Sequence, residues 1–296
     1  MAPALGEMIE EYLVFLEVEG KRPSTIKMKR SLLTVFQRWM AKNYPDLPVK
    51  QIRAKHLAEY LLYRRENGLS KGSEHQNYVN LGAFFKWAMK MYPKHVKKNP
   101  TTKIARPKYT PPIKEFPDID IIEKMIAACD TTSFKGARDK LLFTLIKETG
   151  GRAVEILSLR VDDFNEAYQY IHIREGKGGK PREVPYGDAT TLALITYKEH
   201  RAQHRYAHLP EMFLGQRGPF KYEGLRLIFK EYSLMVGTKA LTPHSFRHAF
   251  VDLCKRRGVT EDAMMELLGW STRAMLDHYA KAGRAQRAIM EYREKL

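Results

Sequence analysis

Cysteine is scarce in this chain, and its spacing excludes the usual structural uses of the residue. Only Cys129 and Cys254 occur among the 296 residues, without a Cys-x-x-Cys pair or a Cys/His cluster. Disulfide frameworks and structural zinc sites need more cysteines at characteristic spacings. We therefore expect two buried thiols in a protein of a reducing compartment.

A zinc-hydrolase motif is also missing. The histidines His200, His204 and His208 recur every four residues, a spacing that could gather metal ligands on one helical face. The segment lacks the glutamate of such a motif, and Arg201 and Arg205 would add positive charge beside a metal. We therefore predict no bound metal.

Long apolar runs are absent as well. No stretch approaches the roughly 18 uninterrupted apolar residues of a membrane span. The first ten residues carry Glu7 and Glu10, whereas a secretory signal would begin with a basic and then an apolar segment. The sequence therefore predicts a cytoplasmic protein with no membrane partner.

Acidic residues are few relative to basic ones. The chain has 51 Lys and Arg against 34 Asp and Glu, and its formal net charge of +17 favours polyanionic partners. Residues 1–110 hold 21 basic and 9 acidic residues, whereas residues 111–296 hold 30 and 25. The first part is therefore predicted to be a binding module, although charge alone does not distinguish DNA from RNA.

Length and proline distribution predict two domains. Single hydrophobic cores stop growing at about 250 to 300 residues, and six of the 15 prolines lie between Pro93 and Pro117. Because proline cannot continue a helix, residues 93–117 are predicted to form an extended basic linker. We place the boundary near residue 110, which gives domains at 1–110 and 111–296.

Apolar periodicity predicts a mainly α protein. In the first domain the predicted helices are 7–18, 24–41, 55–66 and 70–91. Ser24, which follows Pro23, is predicted to cap the second helix.

The second domain is predicted to be mostly helical with a small antiparallel sheet. Its first predicted helices are 118–129, 137–149 and 152–159. The strands 168–174 and 182–185 are then expected to form a hairpin around a glycine-rich turn. After Asp188 the pattern is helical to residue 296.

Two predicted helix starts could bind an anion. Thr242 is a favoured N-cap and Pro243 a favoured first residue, so His244 and Arg247 should share the first turns of one helix. Free N–H groups and the helix dipole favour a phosphate there. The alternative is that His244 merely caps the helix or packs against it.

The second helix start follows Gly150 and Gly151, which break the preceding helix, so Arg152 opens the next one. Its guanidinium group could hold two phosphate oxygens, with Glu155 one turn on to keep it in place. An ordinary salt bridge between Arg152 and Glu155 is the alternative.

These segments, taken in order, resemble the catalytic boxes of the tyrosine recombinases, the phage integrase and Xer-like family. The resemblance rests on Thr149-Gly-Gly-Arg152 with Glu155, the Gly-Lys177-Gly hairpin, His244-x-x-Arg247-His248, Leu-Leu-Gly-Trp270 and Tyr279. It covers most of residues 115–285. The basic N-terminal helices are similar to the family's core-binding, SAM-like domain.

The resemblance implies a site-specific recombinase that cleaves and rejoins DNA strands for integration, excision or resolution. Tyr279 would attack the scissile phosphate to give a 3′-phosphotyrosine and a free 5′-hydroxyl, without ATP, metal or another cofactor. Arg152 and Arg247 would neutralise the charge that grows on the phosphate oxygens.

The remaining site residues receive supporting roles from the same resemblance. Lys177 would be the general acid for the leaving 5′-oxygen, with Lys180 as the alternative. His244 would assist proton transfer or hydrogen-bond the phosphate. Trp270, which cannot act as an acid or base, would position the phosphate, while Glu155 and His248 would support the site.

The partner implied is double-stranded DNA with a specific target site, bound at the nucleoid. The expected DNA contacts are Lys27, Arg30, Lys71, Asn77, Asn80, Lys180 and Arg182. A homotetramer on two duplexes is expected, with a monomer free in solution as the alternative. The last helix, at 283–296, could equally dock on a neighbouring protomer or fold back on its own domain.

Two other functions stay open from the residues. A type IB topoisomerase or a hairpin-telomere resolvase would share the nucleophile and the arginine pair. A DNA-binding regulator with a vestigial site is the non-catalytic alternative, and the intact set of catalytic residues argues against it.

Overall fold

The computed structural model describes residues 3–110, 117–174, 181–273, 275–276 and 292–293. The chain divides into two compact units, Met1–Pro112 and Ile113–Leu296, which are described separately below. Within the described residues both units are mainly helical, and the small sheets lie in the second unit. The predicted fold class is therefore confirmed.

The first unit is a bundle of four α-helices. They are α1 (Leu5–Val18), α2 (Pro23–Asn43), α3 (Ala54–Glu66) and α4 (Lys71–Met91). Short 3₁₀ helices at Val49–Gln51 and Pro100–Lys103 follow α2 and α4. The core between the helices is rich in aromatic rings, with Phe36, Tyr60 and Phe85 fully buried or nearly so.

One detail of the helix starts is wrong in the prediction. α2 begins at Pro23, with Arg22 at the N-cap, so Ser24 lies inside the first turn. The fixed φ of proline suits the first helical position, where its missing N–H costs nothing. At α4 the cap is conventional, because the Ser70 side chain accepts a hydrogen bond from the backbone N–H of Ser73.

The second unit is built around a buried central helix. Its helices are α5 (Ile119–Ala127), α6 (Phe134–Thr149), α7 (Ala153–Leu157), α8 (Asp188–Ala202), α9 (Tyr222–Met235), α10 (Pro243–Arg256) and α11 (Glu261–Leu268). Most of α6 is buried, including Arg138 and Asp139, which form a salt bridge with each other. Its Phe143 ring packs against the rings of Phe229, Tyr232 and Phe246, which joins α6 to α9 and α10.

The main sheet has three antiparallel strands in the order β1 (Phe164–Asn165), β2 (Tyr170–Ile173) and β3 (Arg182–Pro185). The predicted hairpin is formed by β2 and β3, and in it Ile171 lies opposite Val184 and Ile173 opposite Arg182. Ile171 and Val184 face the core.

The prediction of helices alone after Asp188 is wrong. A second, two-stranded sheet pairs β4 (Leu214–Gly215) with β5 (Gly218–Pro219). Strands of two residues are too short to leave an alternating pattern in a sequence, and the same reason explains why the pattern does not predict β1.

The groups weighed as metal ligands have other contacts in this fold. His200 Nε2 lies 3.0 Å from the carbonyl oxygen of Thr131, and His204 stacks on the ring of Phe134. Cys129 and Cys254 are buried free thiols, and burial raises the pKa of Cys129 to about 12. None of the helices in the described part of the chain is both long and apolar enough to cross a bilayer.

Candidate active site

The candidate site lies where four helix ends of the second unit meet. α6 ends at Gly150, whose φ of +59° is left-handed and suits glycine. A Cβ atom at this position would collide with the ring of Phe250 on α10. The close approach brings the end of α6 beside the first turns of α10, where Arg247 lies.

Arg247 is buried, with 2% of its surface exposed, and it ties two helix ends together. Its Nη1 donates to the carbonyl oxygen of Gly150 at 2.6 Å, and its Nη2 donates to that of Leu268 at 2.9 Å. Its guanidinium carbon lies 5.3 Å from the centre of the Trp270 ring, within cation–π range. The side chain is thus held in one orientation by α6 and by the end of α11.

Arg152 sits at the N-cap of α7 and is the more accessible of the two arginines, with 22% of its side chain exposed. Its Nη1 donates to Glu155 Oε1 at 2.7 Å, and its Nη2 donates to the carbonyl oxygen of Gly269 at 3.3 Å. Its backbone N–H donates to Glu155 Oε2 at 3.0 Å. The salt bridge expected between Arg152 and Glu155 is present, and it also fixes the start of the helix.

Arg182, predicted as a DNA contact, instead lies inside the unit beside Glu155. Its Nη2 is 2.8 Å from Glu155 Oε2, and its Nε donates to the carbonyl oxygen of Leu267 at 2.9 Å. Burial raises the pKa of the Glu155 carboxyl, but the hydrogen bonds and charges of Arg182 and Arg152 outweigh it and hold the pKa below its usual value. Glu155 is therefore an ionised carboxylate shared by two arginines.

The three arginines converge on one turn, which we call the 267–270 turn. Arg182, Arg247 and Arg152 donate to the carbonyl oxygens of three successive residues: Leu267, Leu268 and Gly269. The carbonyls of Leu267 and Leu268 belong to the last turn of α11 and that of Gly269 to its C-cap, where carbonyls lack a helical partner and the helix dipole is negative. The partial negative charge at the end of α11 thus offsets part of the positive charge of the three arginines.

The histidines of the site lie on α10. Thr242 caps this helix by accepting a hydrogen bond from the backbone N–H of Ser245, and Pro243 is its first residue, as predicted. His244 is exposed in the first turn, whereas His248, one turn on, is buried. Their rings meet edge to face, with centroids 4.6 Å apart. An exposed imidazole therefore stands above a buried one beside Arg247.

Several predicted site residues lie outside the described residues. They are Tyr279, Lys177, Lys180 and, apart from residues 292–293, the helix predicted at 283–296. The strands on either side of the glycine-rich segment that contains Lys177 are described: β2 ends at Ile173, which pairs with Arg182, the first residue of β3.

In the first unit, Asn77 and Asn80 are not available to DNA. Asn77 Oδ1 accepts from the Tyr60 hydroxyl at 3.3 Å, and Asn80 Oδ1 accepts from Lys29 Nζ at 2.9 Å. Both amides are buried, since they share the inward face of α4 with Leu81, Phe84 and Ala88. The i, i+3, i+4 spacing could have revealed this from the sequence.

The cationic candidates of this unit differ in their partners. Arg30 is exposed but donates to both carboxylate oxygens of Glu10. Lys27 and Lys71 are exposed, and neither makes an ion pair with the residues that the structure describes.

Sequence reasoning missed a basic cleft of 1140 Å³ in the first unit. Its lining includes seven cations: Lys50, Arg53, Lys55, Lys94, Lys97, Lys98 and Lys103. The lining contains no carboxylate, and none of the seven forms an ion pair with any described residue. Most of this surface comes from two segments that are far apart in the sequence, residues 49–55 and 94–103, so no local motif marks it.

Comparison with known proteins agrees with this architecture. The family model "Phage integrase family" matches residues 118–285, and the model "Phage integrase, N-terminal SAM-like domain" matches residues 9–91. The chain is 31% identical over 293 residues to the tyrosine recombinase XerD of Staphylococcus epidermidis, covering 95% of this chain and 96% of that protein. It is 28% identical over 284 residues to XerD of Staphylococcus aureus, covering 94% and 95%.

Solved structures with the same fold include two integrases. The Tn1549 transposon integrase in complex with transposon right end DNA matches with a TM-score of 0.73 and 19% identity, covering 96% of this chain and 98% of that one. A lambda integrase tetramer bound to a Holliday junction matches with a TM-score of 0.74 and 17% identity, covering 94% and 77%.

The chain therefore belongs to the phage integrase family of tyrosine recombinases. It is an Xer-like enzyme whose function is site-specific DNA recombination.

Proposed function

We propose that this recombinase cleaves and rejoins a specific double-stranded DNA site through a 3′-phosphotyrosine on Tyr279. The observation that carries the proposal is the pairing of Arg152 and Arg247 with neighbouring carbonyls, those of Gly269 and Leu268. Two guanidinium groups fixed side by side can stabilise the charge on a five-coordinate phosphorus without reorganising during the reaction. This arrangement supplies what metal ions supply in many phosphoryl transfers.

In the first step the phenolic oxygen of Tyr279 forms a bond to phosphorus as the bond to the 5′-oxygen breaks. The leaving oxygen takes a proton from Lys177, or from Lys180 if that lysine reaches it instead. His244 accepts the phenolic proton or hydrogen-bonds the phosphate; its exposure in the first turn of α10 supports either role. Attack by a 5′-hydroxyl of another strand reverses the step and conserves the phosphodiester bond.

The buried partners act behind these groups. Trp270, packed within cation–π range of Arg247, would hold that arginine and contribute a hydrogen-bond donor toward the phosphate. Glu155 would hold Arg152, as their 2.7 Å salt bridge supports. His248 would support His244 through the contact of their rings.

The unit Met1–Pro112 would supply most of the sequence-independent affinity for DNA. Support comes from Lys27, Lys71 and the basic cleft, which are exposed and make no ion pairs with the described residues. Cations without protein partners can replace counterions on phosphates. We infer that the working form is a homotetramer on two duplexes in the cytoplasm, at the nucleoid; the related lambda integrase was solved as a tetramer on a Holliday junction.

A nicked suicide substrate tests the nucleophile. Cleavage at the scissile phosphate releases a short strand and traps the protein covalently on DNA. The wild type should form the adduct, Tyr279→Phe should form none, and Tyr168→Phe should behave as the wild type, because Tyr168 is an exposed tyrosine of the same unit. An adduct that persists in Tyr279→Phe would refute the assignment.

The products separate the remaining alternatives. A recombinase should give exchanged strands on a substrate with two target sites. Relaxation of supercoiled DNA without exchange would indicate topoisomerase activity, and closed hairpin ends would indicate a telomere resolvase. Tight binding with no adduct in the wild type would indicate a regulator.

A further inference from the structure

Arg182 is a buried cation of the candidate site that the proposed reaction does not use. Only 3% of its side chain is exposed, and its guanidinium group contacts both oxygens of Glu155, at 2.8 and 3.5 Å. A third contact joins its Nε to the carbonyl oxygen of Leu267. Its Nε, Nη1 and Nη2 all donate to acceptors of the protein, so we take its function to be exerted through these neighbours.

The first neighbour is the Glu155 carboxylate, which also binds Arg152. Both arginines donate to each oxygen of Glu155. Oε1 accepts from Arg152 Nη1 and Arg182 Nη1, and Oε2 accepts from Arg182 Nη2 and the backbone N–H of Arg152. If Glu155 faced Arg152 alone in a buried site, the pair would be neutral and would attract a phosphate only weakly. With Arg182 present, Arg152, Glu155 and Arg182 together carry a net positive charge. Arg152 is the most exposed of the three side chains.

The second neighbour is the 267–270 turn. Gly269 has a φ of +60°, and a Cβ atom placed there would lie 2.8 Å from Arg182 Nη1. The guanidinium group therefore lies directly against the backbone that receives Arg152 and Arg247. Arg182 is also the residue of β3 that pairs with Ile173 at the end of the hairpin.

We propose that Arg182 is a positioning residue for DNA cleavage, which offsets the charge of Glu155 and thereby leaves the charge of Arg152 available to the scissile phosphate. This inference rests on the proposed function of Arg152. It differs from a purely structural role, because the defect caused by losing Arg182 should depend on whether Glu155 is charged.

The test compares Arg182→Gln, Glu155→Gln and the double variant in single-turnover cleavage of a saturating suicide substrate, with the dissociation constant measured separately. Misplacing a reacting group by about 1 Å costs on the order of 100-fold in rate, so we expect Arg182→Gln to cleave about 100-fold more slowly. Its DNA affinity should change little. The double variant should cleave faster than Arg182→Gln alone, because the unbalanced carboxylate is gone.

Wild-type rates in Arg182→Gln, a loss confined to affinity, or a double variant no faster than the single one would each overturn the inference. If Arg182→Gln does not fold, Arg182→Lys provides a second test of the charge argument. Lysine keeps the charge but loses the second hydrogen bond, so this single variant should keep most of the cleavage rate, and a rate as low as that of an Arg152→Ala enzyme would contradict the charge argument. If the wild type formed no covalent adduct with DNA, the proposed function itself would be wrong.

Discussion

The two units use positive charge in opposite ways. In the basic cleft of the first unit, seven cations are gathered without a carboxylate and without ion pairs to the described residues. In the second unit, Arg152, Arg182 and Arg247 each donate to carbonyl or carboxylate oxygens of the protein. The first arrangement suits binding, which exchanges counterions for lysines. The second suits chemistry, which needs charges already oriented before the reaction.

Residue type follows the same division. The cleft holds six lysines and one arginine, and the candidate site uses arginines. A lysine is a hydrated point charge on a flexible stem, whereas the planar fork of an arginine can satisfy two acceptors at once. Arg247 does so with Gly150 and Leu268. A lysine there would leave one of those carbonyls without its partner.

The largest effect is expected from Arg247→Ala. Cleavage of a saturating substrate should fall by about 1000-fold, the loss typical of a missing donor to a transition-state oxyanion. Stability should also fall by about 3 kcal/mol, because two buried carbonyls lose their donors. Single-turnover kinetics and urea unfolding measure the two losses. Arg217→Ala, which removes an exposed arginine of the same unit, is the control; equal behaviour of the two variants would contradict the site geometry.

Local sequence motifs are enough to predict much of this site. The helix start at Thr242 and Pro243, the Arg152 and Glu155 pair and the β2–β3 hairpin follow from local rules on caps, glycine breaks and strand alternation. Their order along the chain indicates the family, whose match to residues 118–285 is confirmed.

Tertiary contacts account for the features that the motifs do not predict. Nothing local to Arg182 shows that it will contact Glu155, 27 residues away. From the sequence alone, a basic side chain next to a glycine-rich segment therefore suggests a DNA contact. The cleft depends on residues 49–55 packing against 94–103, which only the folded bundle brings together. The burial of Asn77 and Asn80, by contrast, follows from helical spacing and could have been predicted.

Gly269→Ala should reduce stability and cleavage less than Arg247→Ala does. Comparison with a second glycine variant separates the cost of backbone strain from a change in the geometry of the site. A left-handed φ costs a residue other than glycine about 1 to 2 kcal/mol, which should appear in urea unfolding. Gly258→Ala is the matched control, since its φ is +71° but a Cβ atom there meets nothing within 4 Å. Both variants should lose stability, but only Gly269→Ala should also cleave more slowly. Equal cleavage by both would show that the contact with Arg182 is not needed.

A smaller effect is expected from Lys97→Gln/Lys98→Gln in the cleft. For each lysine that binds a phosphate, its replacement should reduce the slope of log affinity against log salt by about 0.9, with cleavage at saturation and stability nearly unchanged. Binding titrations between low and physiological salt measure the slope. Lys198→Gln, which removes a lysine already paired with Glu166 in the second unit, should leave the slope as it is. An unchanged slope in the double variant would exclude these two lysines from DNA binding.

The smallest effect is the pH dependence contributed by Glu155. Its folded pKa is lowered, so its ionisation adds stability above the unfolded pKa of about 4.3, and this contribution is lost as pH falls through the lower folded value. The difference in unfolding free energy between wild type and Glu155→Gln should therefore be constant at neutral pH and shrink on acidification. A difference that stays constant to the acid limit of folding would contradict the shared ion pairs.

The division between binding charge and reaction charge is tested most directly by measuring affinity and single-turnover cleavage of one suicide substrate with Arg152→Ala and Lys97→Gln/Lys98→Gln side by side. We predict that Arg152→Ala loses cleavage by about 1000-fold while its dissociation constant stays close to that of the wild type, and that the lysine variant shows the reverse pattern. If Arg152→Ala bound DNA poorly but cleaved normally once saturated, Arg152 would be a binding residue and the account of the site would be wrong.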